Sequence, residues 1–283
     1  MIDSLFDSLT TLRRRWVYGL LSMLVAVGLV IGTPSAAPAS SWFDLIFRGI
    51  QIIQLSSLSD RQEVQLGGQI NEQLVGDQFE LYGDRAINDY VKQIGQRLVP
   101  TSTRSDIPYT FQVVRDNSIN AFATMGGYVY VTTGLLRAAD NEAQVASVLG
   151  HEIGHIAGRH AVEQMRQMAI AQGVMTAAGV DQSALVNIGV ELALRRPNSR
   201  EDEREADILG LDNLIQAGYA PSAMVAFMEK LLRQGSPPSF LSTHPSVGSR
   251  IEALNAQIDP ANANVGDGLN NEAYRSRVSR LPS

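Results

Sequence analysis

The sequence predicts an α+β domain, mostly helical, with one small antiparallel sheet beside a histidine-bearing helix. Three observations predict it. Apolar residues recur at helical spacing over most of residues 58–258. The period shortens to two only between Tyr109 and Thr133, where three β-prone runs surround a Gly126-Gly127 turn signal. The chain has 283 residues, 45% of them hydrophobic and 18% charged, which is enough apolar material for one such core.

The first elements concern destination. Arg13, Arg14 and Arg15 precede an uncharged apolar run from Trp16 to Ile31, and small residues follow, ending at Ala37-Pro38-Ala39. A basic start, an apolar stretch and an A-x-A exit form an export signal over residues 1–39, cut before Ser40. Retention as an N-terminal anchor is the alternative, although 16 apolar residues are short for a bilayer core about 30 Å thick. Both place the body of the chain in a periplasm or an equivalent extracytoplasmic space. Residues 40–57, with Trp42, Phe43, Ile46 and Phe47, are an apolar connecting segment. Such a segment is suited to packing on the domain, or else to association with a membrane surface.

The domain expected over 58–258 then reads element by element. Ser59 and Gln62 form a capping box for a helix to about Val75. Ala86, Ile87, Tyr90, Val91, Ile94 and Leu98 carry a second helix that Pro100 stops. Strands are expected at 109–114, 120–124 and 128–133. Asp140 is the expected N-cap of a long helix through about Met168. Residues 169–194 are apolar and dotted with glycine, suited to covering a cleft. Ser199 caps a helix over 200–217, Pro221 opens another to about Gln234, residues 235–245 form a loop, and Ser246–Ile258 is the last helix. The polar segment 259–283 is expected to be a loosely ordered tail.

Charge and composition exclude several classes of function. Acidic residues outnumber basic ones, 29 to 23, and no Lys/Arg run follows Arg15, so nucleic acid is not an expected partner. The absence of cysteine excludes thiol catalysis, disulfides, Cys-ligated zinc and a lipidated Cys anchor.

One constellation carries chemistry: His151-Glu152-Ile153-Gly154-His155. On a helix the two histidines lie one turn apart on nearly the same face, and their imidazoles can bind one zinc ion. Glu152 lies about 100° round the helix, placed to act on a water as general base. A coincidental pair of histidines is disfavoured because the surrounding residues are apolar. A third ligand is needed. In an H-x-x-G-x-x-H extension that ligand position holds Ala161, and His160 falls one residue early, about 140° from His155 on a continuing helix. That reading leaves His160 as a surface histidine or a companion of a ligand. The alternative is a later carboxylate. Glu203 and Asp207 share a helix face with Gly210 and Leu214, and Glu203 as ligand with Asp207 orienting a ligand histidine is an arrangement zinc sites use. A solvated, acid-rich first turn explains Glu201 and Asp202 well, but an acid at 207, between Ala206 and Ile208-Leu209, less well.

These residues resemble the zinc metallopeptidases of the HtpX-like and BepA-like family, which includes the prenyl-protein endopeptidases. The resemblance spans about residues 59–255. It rests on Asn120-Ala121-Phe122-Ala123 with Gly126-Gly127-Tyr128-Val129-Tyr130-Val131 and Thr133-Gly134-Leu135-Leu136, then on His151 to His155, then on Ser199-Arg200 with Glu203 and Ala206-Asp207, and finally on Thr243-His244-Pro245 with Arg250. It implies a zincin-type domain holding one Zn2+ per chain, with His151, His155 and Glu203, rather than Glu205, as ligands. Asp207 becomes the companion of a ligand, and His244 either a fourth ligand or a transition-state stabiliser. Arg250 is implied to assist at the oxyanion, and Asn120, Ala121, Phe122 and Ala123 to pair with an extended polypeptide substrate. The expected function is an exported zinc metalloendopeptidase acting on misfolded or envelope proteins, with Glu152 as base. The alternatives are an exported chaperone or assembly factor whose zinc site is plugged by His244, and a zinc hydrolase of another substrate. The departures from the family are expected to be the absence of a lipidated Cys, of a helical repeat domain and of multiple membrane spans.

Overall fold

The computed structural model describes residues 58–173, 182–195, 197–234 and 238–282. The expected export signal and the 40–57 segment lie outside the described residues. Helix α1 (Asp60–Gln73) begins as its capping box dictates: Ser59 Oγ accepts from the Gln62 N–H, and Gln62 Oε1 accepts from the Ser59 N–H at 3.0 Å. Helix α2 (Arg85–Leu98), capped by Asp84, buries Ile87, Tyr90, Val91, Ile94 and Leu98 on one stripe facing the sheet.

The sheet has strands β1 (Thr110–Val114), β2 (Ala121–Thr124) and β3 (Tyr128–Thr132) in the order β1-β3-β2. It is mixed, not antiparallel as expected. The pair β2–β3 is antiparallel, joined at Gly126 and Gly127, whose φ values of 77° and 90° suit residues without a side chain. The pair β1–β3 is parallel. The reason is that the chain leaving β1 crosses the end of β3 instead of folding straight back. The crossing stretch is pinned there by hydroxyls at the end of β3: Thr132 donates to the Ser118 carbonyl at 2.6 Å and Thr133 to the Asp116 carbonyl at 2.8 Å. β2 therefore pairs on one side only among the described residues, leaving an edge beside the histidine helix.

After α3 (Thr133–Ala138) comes the histidine helix α4 (Glu142–Ala157), almost wholly buried. Its N-cap is Asn141, which accepts from the Gln144 N–H at 3.1 Å, and not Asp140, whose carboxylate pairs with Lys230 at 2.6 Å. The expected run to Met168 breaks after Gly158. Arg159 is left-handed (φ 56°, ψ 29°), and α5 (His160–Ala171) starts in a new direction. That conformation costs roughly 1–2 kcal/mol for a residue with a side chain. Arg159 is held in it by bonds to the Leu58 carbonyl at 2.6 Å and to buried Glu63 at 3.0 Å.

Then follow α6 (Gln182–Arg195), α7 (Arg200–Gln216), α8 (Ser222–Leu232), α9 (Ser239–Thr243), α10 (Val247–Gln257) and α11 (Asn271–Val278). The capping box of α7 uses Ser199 and Asp202. Helix α9 lies where a loop was expected. The C-terminal segment is not loosely ordered either: Tyr274 of α11 is buried and donates to the Leu136 carbonyl at 2.5 Å, and Asp267 pairs with Arg97 at 2.7 Å. One buried aromatic and one ion pair tether a stretch whose composition alone reads as solvated.

Helices α4 and α7 make the most extensive helix contact. Small residues allow it. A Cβ on Gly154 would stand 2.6 Å from the Ala206 carbonyl oxygen, and one on Gly210 would stand 2.8 Å from the His151 backbone nitrogen. The two backbones therefore touch, and short side chains suffice to bridge from one helix to the other.

Candidate metal centre

The approach of α7 to α4 decides the site. His151 and His155 project from α4, their Nε2 atoms 3.1 Å apart. Glu203, in the first turn of α7 and fully buried, brings Oε1 to 3.3 Å from His155 Nε2 and Oε2 to 3.5 Å from His151 Nε2. His244, at the end of α9, places Nδ1 3.2 Å from His151 Nε2 and 3.0 Å from Glu203 Oε1. One atom from each of these four residues lies within 4.8 Å of all the others. A tetrahedral ion with bonds of about 2.0–2.1 Å separates its ligand atoms by about 3.3 Å. The contacts of 3.0–3.5 Å match that spacing, and as a donor set three imidazoles and a carboxylate suit a divalent cation.

Behind the cluster stands a second layer. Asp207 Oδ1 lies 2.9 Å from His151 Nδ1. Arg250, only 1% exposed, donates to both Asp207 oxygens at 2.7 Å and meets Glu203 Oε2 at 2.5 Å. The resemblance gave Arg250 a part at the oxyanion. In the structure it is buried behind the ligands and does not line the cleft, so its geometry is that of a residue holding two carboxylates in place. Burial opposes charge on Asp207, but the bonds from Arg250 and His151 outweigh it and hold its pKa below the usual range. Burial likewise opposes charge on Glu203, and His244, His151 and His155 overcome it to keep that carboxylate ionised. The imidazoles diverge. Burial depresses His155 to about 3, whereas for His151 the bonds to Asp207 and Glu203 overcome burial and the neighbouring Arg250, raising it to about 9. The cluster thus attracts positive charge at His151, which in the absence of an ion is a proton.

Glu152 points into the cleft. Burial raises its pKa, and its Oε1 lies 3.4 Å from His244 Nε2; neither atom has a hydrogen-bond partner. The cleft spans about 710 Å³, part of it open to solvent, and is lined by Glu152, His155 and His244, by Phe122, Ala123 and Thr124 of the β2 edge, and by Gly189, Leu192 and Ala193 of α6. Of the residues expected to pair with substrate, Phe122 and Ala123 line it. Asn120 and Ala121 do not; Asn120 is tied by its backbone to Thr132. Of the 169–194 stretch expected to cover the cleft, residues 174–181 lie outside the described residues, and Gly189, Leu192 and Ala193 stand along one wall.

Two further polar neighbours meet the cluster: Asn198 was not foreseen, and His160 takes the second of its two expected places, beside a ligand and not on the surface. Asn198 donates to Glu203 Oε1 at 2.8 Å and is itself held by Gln164 at 2.9 Å. Nothing in spacing signals it, since it reaches the site from an irregular turn before the α7 cap. His160, which the reading of an unbroken helix turned away from His155, lies with Nδ1 2.8 Å from His155 Nδ1. The Gly158-Arg159 break is what returns it.

A helix bearing H-E-x-x-H, crossed closely by a second helix that supplies a buried glutamate, defines a zincin-type metallopeptidase centre. The particular group follows from comparison with known proteins: the profile of peptidase family M48 matches residues 85–258, and the chain belongs to that family. It is 35% identical over 213 residues to the beta-barrel assembly-enhancing protease of Escherichia coli (strain K12), a match covering 69% of this chain and 44% of that protein. It is 32% identical over 197 residues to the mitochondrial metalloendopeptidase OMA1 of Schizosaccharomyces pombe, covering 64% of this chain and 57% of that one. The OMA1 of Arabidopsis thaliana is 36% identical over 180 residues, covering 62% of this chain and 37% of that protein. The chain spans about half the length, or less, of these curated relatives. Among the described residues, no helix is long and apolar enough to cross a membrane.

Proposed function

We propose that this protein is an exported zinc metalloendopeptidase that cleaves misfolded or envelope polypeptides bound in extended form. The observation that carries the reading is the meeting of His151, His155 and Glu203 at tetrahedral spacing beside Glu152 in a cleft walled by a sheet edge. Bound there, zinc supplies Lewis acidity, acidifying water and polarising a carbonyl. The residues do the rest. The β2 edge offers main-chain groups to a substrate strand and sets the scissile bond across the cleft. Glu152 takes a proton from the attacking water on its carboxylate and returns it to the leaving amine. Its burial, which raises its pKa, fits a base that takes the proton and holds it until the amine leaves. Asp207 fixes the tautomer of His151, and Arg250 and Asn198 keep the two carboxylates from swinging. Export rests on the pattern of residues 1–39, and envelope substrates on the similarity to the beta-barrel assembly-enhancing protease of Escherichia coli.

A specific observation favours a second reading. His244 completes a four-membered donor set, and a closed tetrahedral site has no place for water. In that reading the protein is an exported chaperone or assembly factor whose site is plugged, or an enzyme at rest until His244 withdraws. Casein digestion separates the readings. The peptidase reading expects cleavage that a chelator abolishes and zinc restores. No cleavage by the wild type or by His244→Ala, at full zinc content, would leave the chaperone reading standing.

A further inference from the structure

The two motif histidines turn their Nδ1 atoms away from the cluster and meet different partners there. That of His151 meets a carboxylate, Asp207, at 2.9 Å. That of His155 meets an imidazole, with Nδ1 of His160 at 2.8 Å. His160 is only 5% exposed, and its other nitrogen, Nε2, lies 3.3 Å from Glu205 Oε2 and 4.0 Å from Asp202 Oδ1. Two ring nitrogens 2.8 Å apart hold one proton between them, because two lone pairs repel and two N–H groups clash. His155 turns Nε2 to the cluster, so its own proton belongs on Nδ1. His160 must then accept on Nδ1 and carry its proton on Nε2, the atom that faces Glu205. A single arrangement of protons satisfies all three side chains.

The backbone is shaped for this meeting. Five residues along an unbroken helix, His160 would face away from His155. The left-handed Arg159 swings the chain round and returns the ring. Gly158 leaves room for it, since a Cβ there would stand 2.4 Å from His160 Nε2. Glu205 is an exposed member of an acid-rich turn, with 60% of its side chain accessible, so its reach toward His160 is not forced by packing.

Resting on the metallopeptidase reading above, we propose that His160 is a positioning residue that fixes His155 as a ligand by accepting its Nδ1 proton, with Glu205 setting the tautomer of His160. His155 then has through an imidazole what His151 has directly from Asp207. Loss of such a partner lowers metal affinity by about 10–100-fold.

The test measures zinc affinity of the full chain by competition with a chelating dye, in a Glu152→Gln background so that self-digestion plays no part. His160→Leu should weaken zinc binding by about 10–100-fold. His160→Asn places an amide oxygen where Nδ1 stood and should bind zinc within a few-fold of the parent. Equal weakening in both variants would mean that the ring serves only as filling, and unchanged affinity in His160→Leu would also overturn the proposal. Nitrogen-15 spectra of the histidines in the zinc-loaded protein give a reading that needs no variant at position 160. They should show His155 protonated on Nδ1 and His160 protonated on Nε2, and the reverse assignment would sink the idea even if His160→Leu failed to fold. Failure of the peptidase reading looks different, because the chain with Glu152 in place would leave casein intact while zinc binding still followed the residue at 160.

Discussion

The closeness of α4 and α7 can be tested with one methyl group. In Gly154→Ala the new Cβ would sit 2.6 Å from the Ala206 carbonyl oxygen, and Ala206 Cα would lie 3.0 Å away. Carbon and oxygen settle near about 3.3 Å, so the helices must part by roughly 0.7 Å, because backbone cannot rotate aside as a side chain does. Overpacking of this kind costs about 1–3 kcal/mol. Alanine also favours a helix over glycine by about 1 kcal/mol, which partly masks the clash. The control is Gly248→Ala in α10, where a Cβ would meet nothing within 4 Å. Both variants gain helix propensity, and only one carries the clash. Thermal melting should place Gly154→Ala below Gly248→Ala by roughly 2–12 °C, at about 2–4 °C per kcal/mol for a domain of this size. Zinc affinity should fall with it, since the same displacement draws Glu203 away from the two imidazoles. Equal melting and equal zinc affinity in the two variants would refute the argument that backbone contact sets the ligand spacing.

Further outcomes follow from the same geometry. Glu152→Gln should retain zinc on metal analysis and lose casein cleavage by on the order of 10²–10⁴; cleavage near the wild-type rate would remove Glu152 as base. Glu203→Ala should be purified without stoichiometric zinc, and full occupancy would place the third ligand elsewhere. Arg250→Met leaves Glu203 and Asp207 buried without their cation and should cost about 3–5 kcal/mol, read as a lower denaturation midpoint. The zinc-free protein should also lose stability in mild alkali. The folded-state pKa of His151 is raised to about 9 from an ordinary 6.5, so its contribution is complete below about pH 6.5 and fades as pH rises towards 9. A melting temperature under chelator that stayed flat across that window would contradict it.

The site was more legible in sequence than the route by which its parts meet. His151, Glu152 and His155 stand out by helical spacing; a shared face that also carries Gly210, the residue at which α7 touches α4, made Glu203 and Asp207 candidates, and the family resemblance preferred Glu203 to Glu205. A capping box announced α1 and a serine cap announced α7, because that chemistry is local. The mixed sheet was not legible, because strand order depends on hydroxyls at Thr132 and Thr133 capturing a distant loop. The break after Gly158 escaped notice because Arg159 adopts its left-handed turn under the pull of Glu63, nearly a hundred residues earlier. The placement of Arg250 was misjudged for a related reason. The family resemblance put Arg250 at the oxyanion, whereas α10 turns the guanidinium inward onto Glu203 and Asp207.

The donor set draws on three separate stretches, α4, the start of α7 and the end of α9, and its rear support comes from α10. A chain released N-terminus first exposes H-E-x-x-H long before position 244 arrives. The four-residue cluster is therefore among the last features such a chain can assemble, and once complete it clasps together helices from the middle and the rear of the domain.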